Sequence, residues 1–301
     1  MKHLNPYTLA LLLNEGKFSC VKASKQLGFV SHDALTRQLY RAWQYGAIQD
    51  WSTLPKDGLL VYDETVVCKP HAPRLANAQW VYDASQNRSV LGYKLLLILW
   101  VVGQERYILR VCLPGTEKSN ELIRRTLPEI SDAGLAPEHV LFDCWYASCE
   151  NLTLLEQLGW TYTSRVRSNR VFNGQHVKKH KFHGAKGKTG HLKGISHRVQ
   201  VVKDGNRFLV TNDLTPHTTA SLAKVYEGRW GIETVFRDLK QVLHLEKCAC
   251  RSLEAQFNHI MACLEAYLYL RQAFPDKSIE AAQQEFLRQY HCPNCRPCLI
   301  Q

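Results

Sequence analysis

The chain has 301 residues, 45% of them hydrophobic, enough to bury a substantial core with one or two appendages. It contains no 18-residue apolar run and no signal-like amino terminus, so neither a membrane-spanning helix nor a secreted protein is expected, and a soluble cytoplasmic one is. The formal net charge is +11, and the eleven cysteines of such a chain are not expected to form a disulfide framework; most, such as Cys20, Cys112, Cys144 and Cys263, read as small core residues.

Thr8–Asn14, Ser19–Leu27 and Ser31–Gln44 read as three short amphipathic helices, with Gly28 at a tight turn and Ser31 as N-cap. Lys25 to Leu39 has helix-turn-helix proportions within a helical domain of residues 1–50. In that reading Ser31 to Arg41 is the recognition helix, and His32, Thr36, Arg37 and Arg41 face a groove; a plain three-helix bundle fits nearly as well. Residues 46–57 form the connection.

Residues 58–67, 90–103 and 106–113 read as three consecutive strands, the last two separated by a short turn at Gly103. Ser119 to Ile130 has helical periodicity, a strand ends at Asp143, and a helix runs from Cys149 to Leu158. This order gives a mixed sheet with covering helices. Two of the strands carry an acid: Asp63 interrupts the apolar run Gly58–Val67, and Asp143 follows His139–Phe142. A buried aspartate is costly unless it is paired or bound to a metal. Either residue taken alone fits a turn or an N-cap equally well.

Residues 164–207 hold twelve Lys and Arg against one acid, Asp204, a local excess of +11 equal to that of the whole chain. The remainder therefore sums to zero, and the positive field is local. Lys178, Lys179 and Lys181 lie at its centre, with short β-like runs at Val199–Val202 and Phe208–Val210. A basic β-rich insertion that grips a nucleic-acid backbone fits this composition, and a solvated loop is the alternative.

Further on, Tyr226, Arg229, Glu233 and Lys240 follow one another at offsets that fall within roughly a 60° arc if the segment is one helix. An acid then shares a face with two cations and a phenol, a grouping suited to a phosphodiester. A surface helix laced with ion pairs is the plainer reading. The His291–Cys298 tail places Cys292, Cys295 and Cys298 at a spacing like part of a zinc site that Cys248 and Cys250 would complete; a frayed terminus accounts for it as well.

Together, the spacing Tyr-x2-Arg-x3-Glu-x6-Lys, the segments Tyr62–Thr65 and Phe142–Tyr146, and Arg251 to Leu270 with His259 and Ile260 make the chain resemble the DDE transposases of bacterial insertion sequences over roughly residues 58–272. The resemblance implies an RNase H-like α/β fold, split into residues 58–163 and 211–275 around the insertion at 164–210 and followed by a C-terminal helix and cysteine-rich tail at 276–301. It also implies that Asp63 and Asp143 are on neighbouring strands and that Asp63, Asp143 and Glu233 hold catalytic Mg²⁺, for which Mn²⁺ can substitute. Tyr226, Arg229 and Lys240 would then hold phosphates near a transposon end, while Trp145 and Tyr146 pack beside the site or stack on a base. The expected partners are double-stranded DNA, as transposon ends and as target, and a second copy of the chain on paired ends, in a nucleoid-associated bacterial setting. The expected reaction is metal-dependent strand cleavage and strand transfer. A nuclease of the same core without strand transfer, or a non-catalytic descendant that binds DNA, are the alternatives.

Overall fold

The computed structural model describes residues 4–41, 50–72, 74–113, 118–182 and 186–291. In chain order these contain helices α1 (Pro6–Leu13), α2 (Cys20–Leu27) and α3 (His32–Gln38), and strands β1 (Asp57–Cys68), β2 (Gln79–Asp83), β3 (Arg88–Val102) and β4 (Glu105–Cys112). Helix α4 (Ser119–Asp132), β5 (Ala136–Phe142), α5 (Cys149–Gln157) and β6 (Tyr162–Val166) follow. Then come β7 (Val171–Phe172), β8 (Gln175–His176), β9 (Lys188–Gly190), β10 (Val199–Asp204) and β11 (Arg207–Thr211). The chain continues through α6 (Thr219–Glu227), α7 (Trp230–Gln241), α8 (Leu253–Ala273) and α9 (Ile279–His291). The fold is a mixed α/β one, with a nine-stranded sheet in the order β2-β3-β1-β5-β6-β11-β10-β9, β4 pairing with β3. The mixed sheet with covering helices expected from the sequence is thus present.

Two compact units divide the chain: Ala47–Glu64 with Leu95–Glu233, and Met1–Gly46 with Thr65–Lys94 and Thr234–Gln301. In the first, β1, β5 and β6 run parallel, and β11, β10 and β9 continue the sheet antiparallel. Parallel strands buried on both faces need near-continuous apolar runs, and Leu60, Val61, Tyr62, Val140, Leu141 and Phe142 supply them, each fully buried. One face packs Leu60, Tyr62, Val140 and Phe142 with Leu122, Ile123 and Leu127 of α4 and Leu152 and Leu155 of α5 in a single core. The β3–β4 hairpin turns on Gly103, whose φ of 58° suits the tight two-residue connection. The basic region is β-rich, and its longer strands β9 to β11 belong to this sheet, with Val199, Val201 and Val210 facing the same core.

Within the second unit, α1 is buried from Tyr7 to Leu13, so it is a core helix rather than the amphipathic one expected. Its sequence is apolar on every side because α2, α3, α8 and α9 all pack on it. The expected third helix, Ser31–Gln44, is capped by Ser31 as predicted but ends at Gln38, and residues 42–49 lie outside the described ones. His259 of α8 is fully buried, and burial pushes its imidazole down to about 3. It is therefore neutral, accepting from the Tyr7 hydroxyl at 2.8 Å and donating to the His244 carbonyl at 3.0 Å. No helix among the described residues is long and apolar enough to cross a membrane.

Candidate active site

Asp63 and Asp143 are brought together by backbone pairing. Val61 of β1 lies opposite Leu141 of β5 in parallel register, and two residues further along each strand comes an aspartate. Because side chains alternate, Leu59, Val61 and Asp63 share the face opposite to Leu60 and Tyr62, and Leu141 and Asp143 share it on the neighbouring strand. The adjacency that the resemblance implied is thus a property of the sheet.

The α6–α7 junction lies on that same face. A Cβ on Gly228 would stand 3.0 Å from the terminal methyls of both Leu59 and Leu141, so a larger residue would have to push both leucines aside, and glycine lets the backbone approach the two strands closely. Here the sequence expectation of one continuous helix needs correction: α6 ends at Glu227 and α7 starts at Trp230. Between them the chain tightens, with the Gly228 and Arg229 amides bonding three residues back to Val225 and Tyr226. The physical cause is the contact of Gly228 with the sheet, which no helical periodicity reveals.

Arg229 emerges from this junction between two acids. One terminal nitrogen (Nη1) donates to Asp63 Oδ2 at 2.8 Å, and the other (Nη2) donates to Glu233 Oε1 in a close ion pair one helical turn along. Its side chain is only 13% exposed, against 18% for Asp63 and 36% for Glu233. The Arg229 Nε is buried without a hydrogen-bond partner. Tyr226 is buried as well, at 3% exposure, with its ring 5.4 Å from the Arg229 guanidinium carbon and 5.9 Å from that of Arg207. Burial raises its phenol above the ordinary range, so the hydroxyl stays protonated.

Burial raises the Asp63 carboxyl to about 6, against the pull of Arg229 and of the Glu64 amide, which donates to Oδ1 at 2.8 Å; the nearby charges of Asp143 and Glu64 push the same way as burial. Glu64 itself accepts from the Ser119 hydroxyl at 2.6 Å. Asp143 begins the turn Cys144–Tyr146, with Arg165 of β6 at 3.6 Å from Oδ1. That oxygen is buried and accepts no hydrogen bond. Arg165 appeared in the sequence only as one of twelve cations, because β6 was not recognised as a strand. The alternation of Tyr162, Ser164 and Val166 inward with Arg165 outward was its signal.

Among the described residues no three His, Cys, Asp or Glu side chains are already gathered to hold a metal ion. The Glu233 carboxylate is instead occupied by Arg229, which also holds Asp63. Asp63 and Asp143 nevertheless fit a hard divalent cation, being all-oxygen donors positioned by adjacent strands, one of them with an orphaned buried oxygen.

Of the two aromatics after Asp143, Tyr146 is fully buried and meets the Tyr62 ring edge-on, whereas Trp145 is half exposed with Arg167 over its ring at 5.5 Å. Trp145 and Arg167 edge a cleft of about 640 Å³ that Arg170, Lys193 and Asn120 also line. Lys178, Lys179 and Lys181 are exposed; the first two end a 3₁₀ turn anchored by buried Val177. Lys240 lies two turns beyond Glu233 on α7 and pairs with Glu246 at 3.7 Å. Arg37 and Arg41 are exposed on and after α3, and the Thr36 hydroxyl is spent on the His32 carbonyl of its own helix. Cys248 is buried and Cys250 half-buried, while Cys292, Cys295 and Cys298 lie outside the described residues.

The profile of the family described as "Transposase DDE domain" matches residues 54–269. No curated protein matches the chain. Among solved structures the chain is similar to the Drosophila P element transposase strand transfer complex, at 14% identity and a TM-score of 0.29, over 96% of this chain and 64% of that one. It thus spans less than two thirds of that relative's length.

Proposed function

Because the chain belongs to the family of the transposase DDE domain, we propose that it cleaves DNA at the terminal inverted repeats of an insertion sequence and transfers the freed strand to target DNA. The observation that supports this reading most strongly is the parallel pairing that puts Asp63 beside Asp143, on the face of the sheet where the Gly228 junction delivers Glu233.

Asp63 and Asp143 would anchor Mg²⁺, and Glu233 would join them once its carboxylate leaves Arg229. A bound divalent cation lowers the pKa of water or of a 3′-hydroxyl and offsets charge on the leaving oxygen of a phosphodiester. The protein's own part is positioning: the two aspartates are fixed by strand register, and the helix carrying Glu233 is fixed by the packing of Gly228. Tyr226, Arg229 and Lys240 would hold phosphates of the transposon end. Lys178, Lys179 and Lys181 would grip the backbone of any duplex, and Arg37 and Arg41 on the α2–α3 pair would supply base discrimination. Two ends must be paired before joining, which calls for a homodimer on DNA.

The test is an in vitro reaction with a labelled duplex carrying the inverted repeat that borders the gene, a target plasmid and Mg²⁺ or Mn²⁺. Cleavage at the repeat and a joined product are expected from the wild type. Neither is expected from Asp63→Ala, Asp143→Ala or Glu233→Ala, each of which should still bind the duplex. Cleavage without any joined product would make the protein a nuclease, and turnover by one of the variants would remove that residue from the site.

A further inference from the structure

Arg229 is more than a phosphate ligand in waiting. Its two terminal nitrogens are committed to Asp63 Oδ2 and Glu233 Oε1, oxygens of two of the three acids and on two different elements. An i,i+4 ion pair such as Arg229–Glu233 is ordinary on a helix, but a guanidinium bridging a helix acid to a strand aspartate is not explained by helix stability. Nor is it fully satisfied there, since Nε is buried with nothing to donate to. A divalent cation held by Asp63 and Glu233 would draw on the negative charge that the guanidinium already neutralises, so the two cations would compete for the same pair of carboxylates. Asp143 is outside this arrangement: its nearest cation is Arg165, at 3.6 Å, and its Oδ1 accepts no hydrogen bond.

Resting on the transposase reading above, we propose that Arg229 is a gate that makes divalent-cation binding conditional on DNA. In the free protein the guanidinium neutralises Asp63 and Glu233 and keeps them from a metal. A DNA phosphate is the one competing anion that the reaction brings, and it matches the guanidinium as well as a carboxylate does. When the phosphate draws Arg229 away, the two carboxylates are left unneutralised, and cation binding becomes favourable at that moment. Linkage makes the coupling reciprocal: DNA tightens metal binding by the factor by which metal tightens DNA binding. The chain then holds its metal site shut when no substrate is present.

The experiment measures Mn²⁺ binding by electron paramagnetic resonance of the free ion, on the full chain, with and without a duplex of the inverted repeat already cut at its 3′ end. Wild-type protein is expected to bind Mn²⁺ weakly alone and about tenfold or more tightly with the duplex. Arg229→Gln should bind it tightly without DNA and lose the dependence. Arg165→Gln removes one positive charge from the same neighbourhood without freeing Asp63 or Glu233, and should keep the dependence. Arg229→Lys keeps the charge but cannot bridge both acids, so it should be intermediate, and it stands in if the glutamine variant does not fold. Equal dependence in wild type and both Arg229 variants overturns the gate, as does an Arg165→Gln result matching Arg229→Gln, which would reduce the effect to net charge. Failure of the underlying reading looks different: Asp63→Asn and Asp143→Asn would then leave Mn²⁺ binding of the DNA complex unchanged.

Discussion

The rings of Tyr62 and Phe142 lie parallel, 5.0 Å apart at their centroids with 5° between their planes. Each immediately precedes an aspartate, so the stack underlies the carboxylate pair and ties the middle of β1 to the end of β5. The Tyr62 hydroxyl is buried in that core with no hydrogen-bond partner. Tyr62→Phe removes an unsatisfied donor and is expected to stabilise the protein by about 1 kcal/mol. Phe142→Ala opens the stack and should cost about 3–5 kcal/mol. Denaturant titrations with unchanged slope check both, and a destabilised Tyr62→Phe would show that the hydroxyl is used.

Asp63 keeps its proton to about pH 6, chiefly because it is buried. A cation must displace that proton at lower pH, so Mn²⁺ affinity and cleavage should both fall as pH drops through about 6 and level off above it. The stability effect has the opposite sign. A carboxyl raised from its unfolded value of about 3.9 contributes stability that is complete below that value and lost as pH rises through about 6. Asp63→Asn, which mimics the protonated form, should therefore melt above wild type at pH 8 and level with it at pH 4. Thermal melts at the two values decide, and a variant that melts below wild type at pH 8 would mean that the lost pairing with Arg229 outweighs the relief.

The exposed trio Lys178, Lys179 and Lys181 should act on every duplex alike. Changing all three to glutamine is expected to weaken binding to specific and random DNA by the same factor. It should also flatten the plot of log affinity against log salt by up to about three units, roughly 0.9 per lost phosphate contact. An unchanged slope would leave the trio as solvated surface.

Arg37→Ala should do the reverse, because a base-edge contact is worth about 1–3 kcal/mol of discrimination whereas phosphate contacts are blind to sequence. The ratio of affinities for inverted-repeat and random duplex, measured at one fixed salt concentration, should fall about tenfold or more while random binding holds. If the ratio is kept by this variant and also by Arg41→Ala, recognition lies elsewhere.

The strands carrying Asp63 and Asp143 were legible because each is a dense apolar run marked by an acid, within the run at Asp63 and at its end at Asp143, a pattern that local sequence carries whole. Their adjacency was not, since pairing Val61 with Leu141 is a contact across eighty positions that no local rule predicts. Strand β2 is hidden because its exposed face holds the aromatics Trp80 and Tyr82, and β6 because Thr163 is buried like the residues on either side of it, which blurs the alternation in both. The break at Gly228 was hidden for a related reason: glycine is visible in the sequence, but what it touches, Leu59 and Leu141, is not. The bridging of two acids by Arg229 belongs to the same class, being fixed by the backbone path that the break creates.

A register shift lies between Gly58 and Leu59, where Gly58 faces Pro137 and Leu59 faces His139, leaving Glu138 without a partner. Glu138 is the slack in the pairing. Losing it would let β5 close up on β1 with Asp143 still beside Asp63, whereas losing Val140, Leu141 or Phe142 would move the side chains that precede the aspartate to the wrong face of the sheet. Length therefore matters here as much as identity. Of two variants that both keep Asp63, Asp143 and Glu233, the one lacking Glu138 should therefore keep its carboxylate pair intact, and the one lacking Leu141 should lose the packing beneath it.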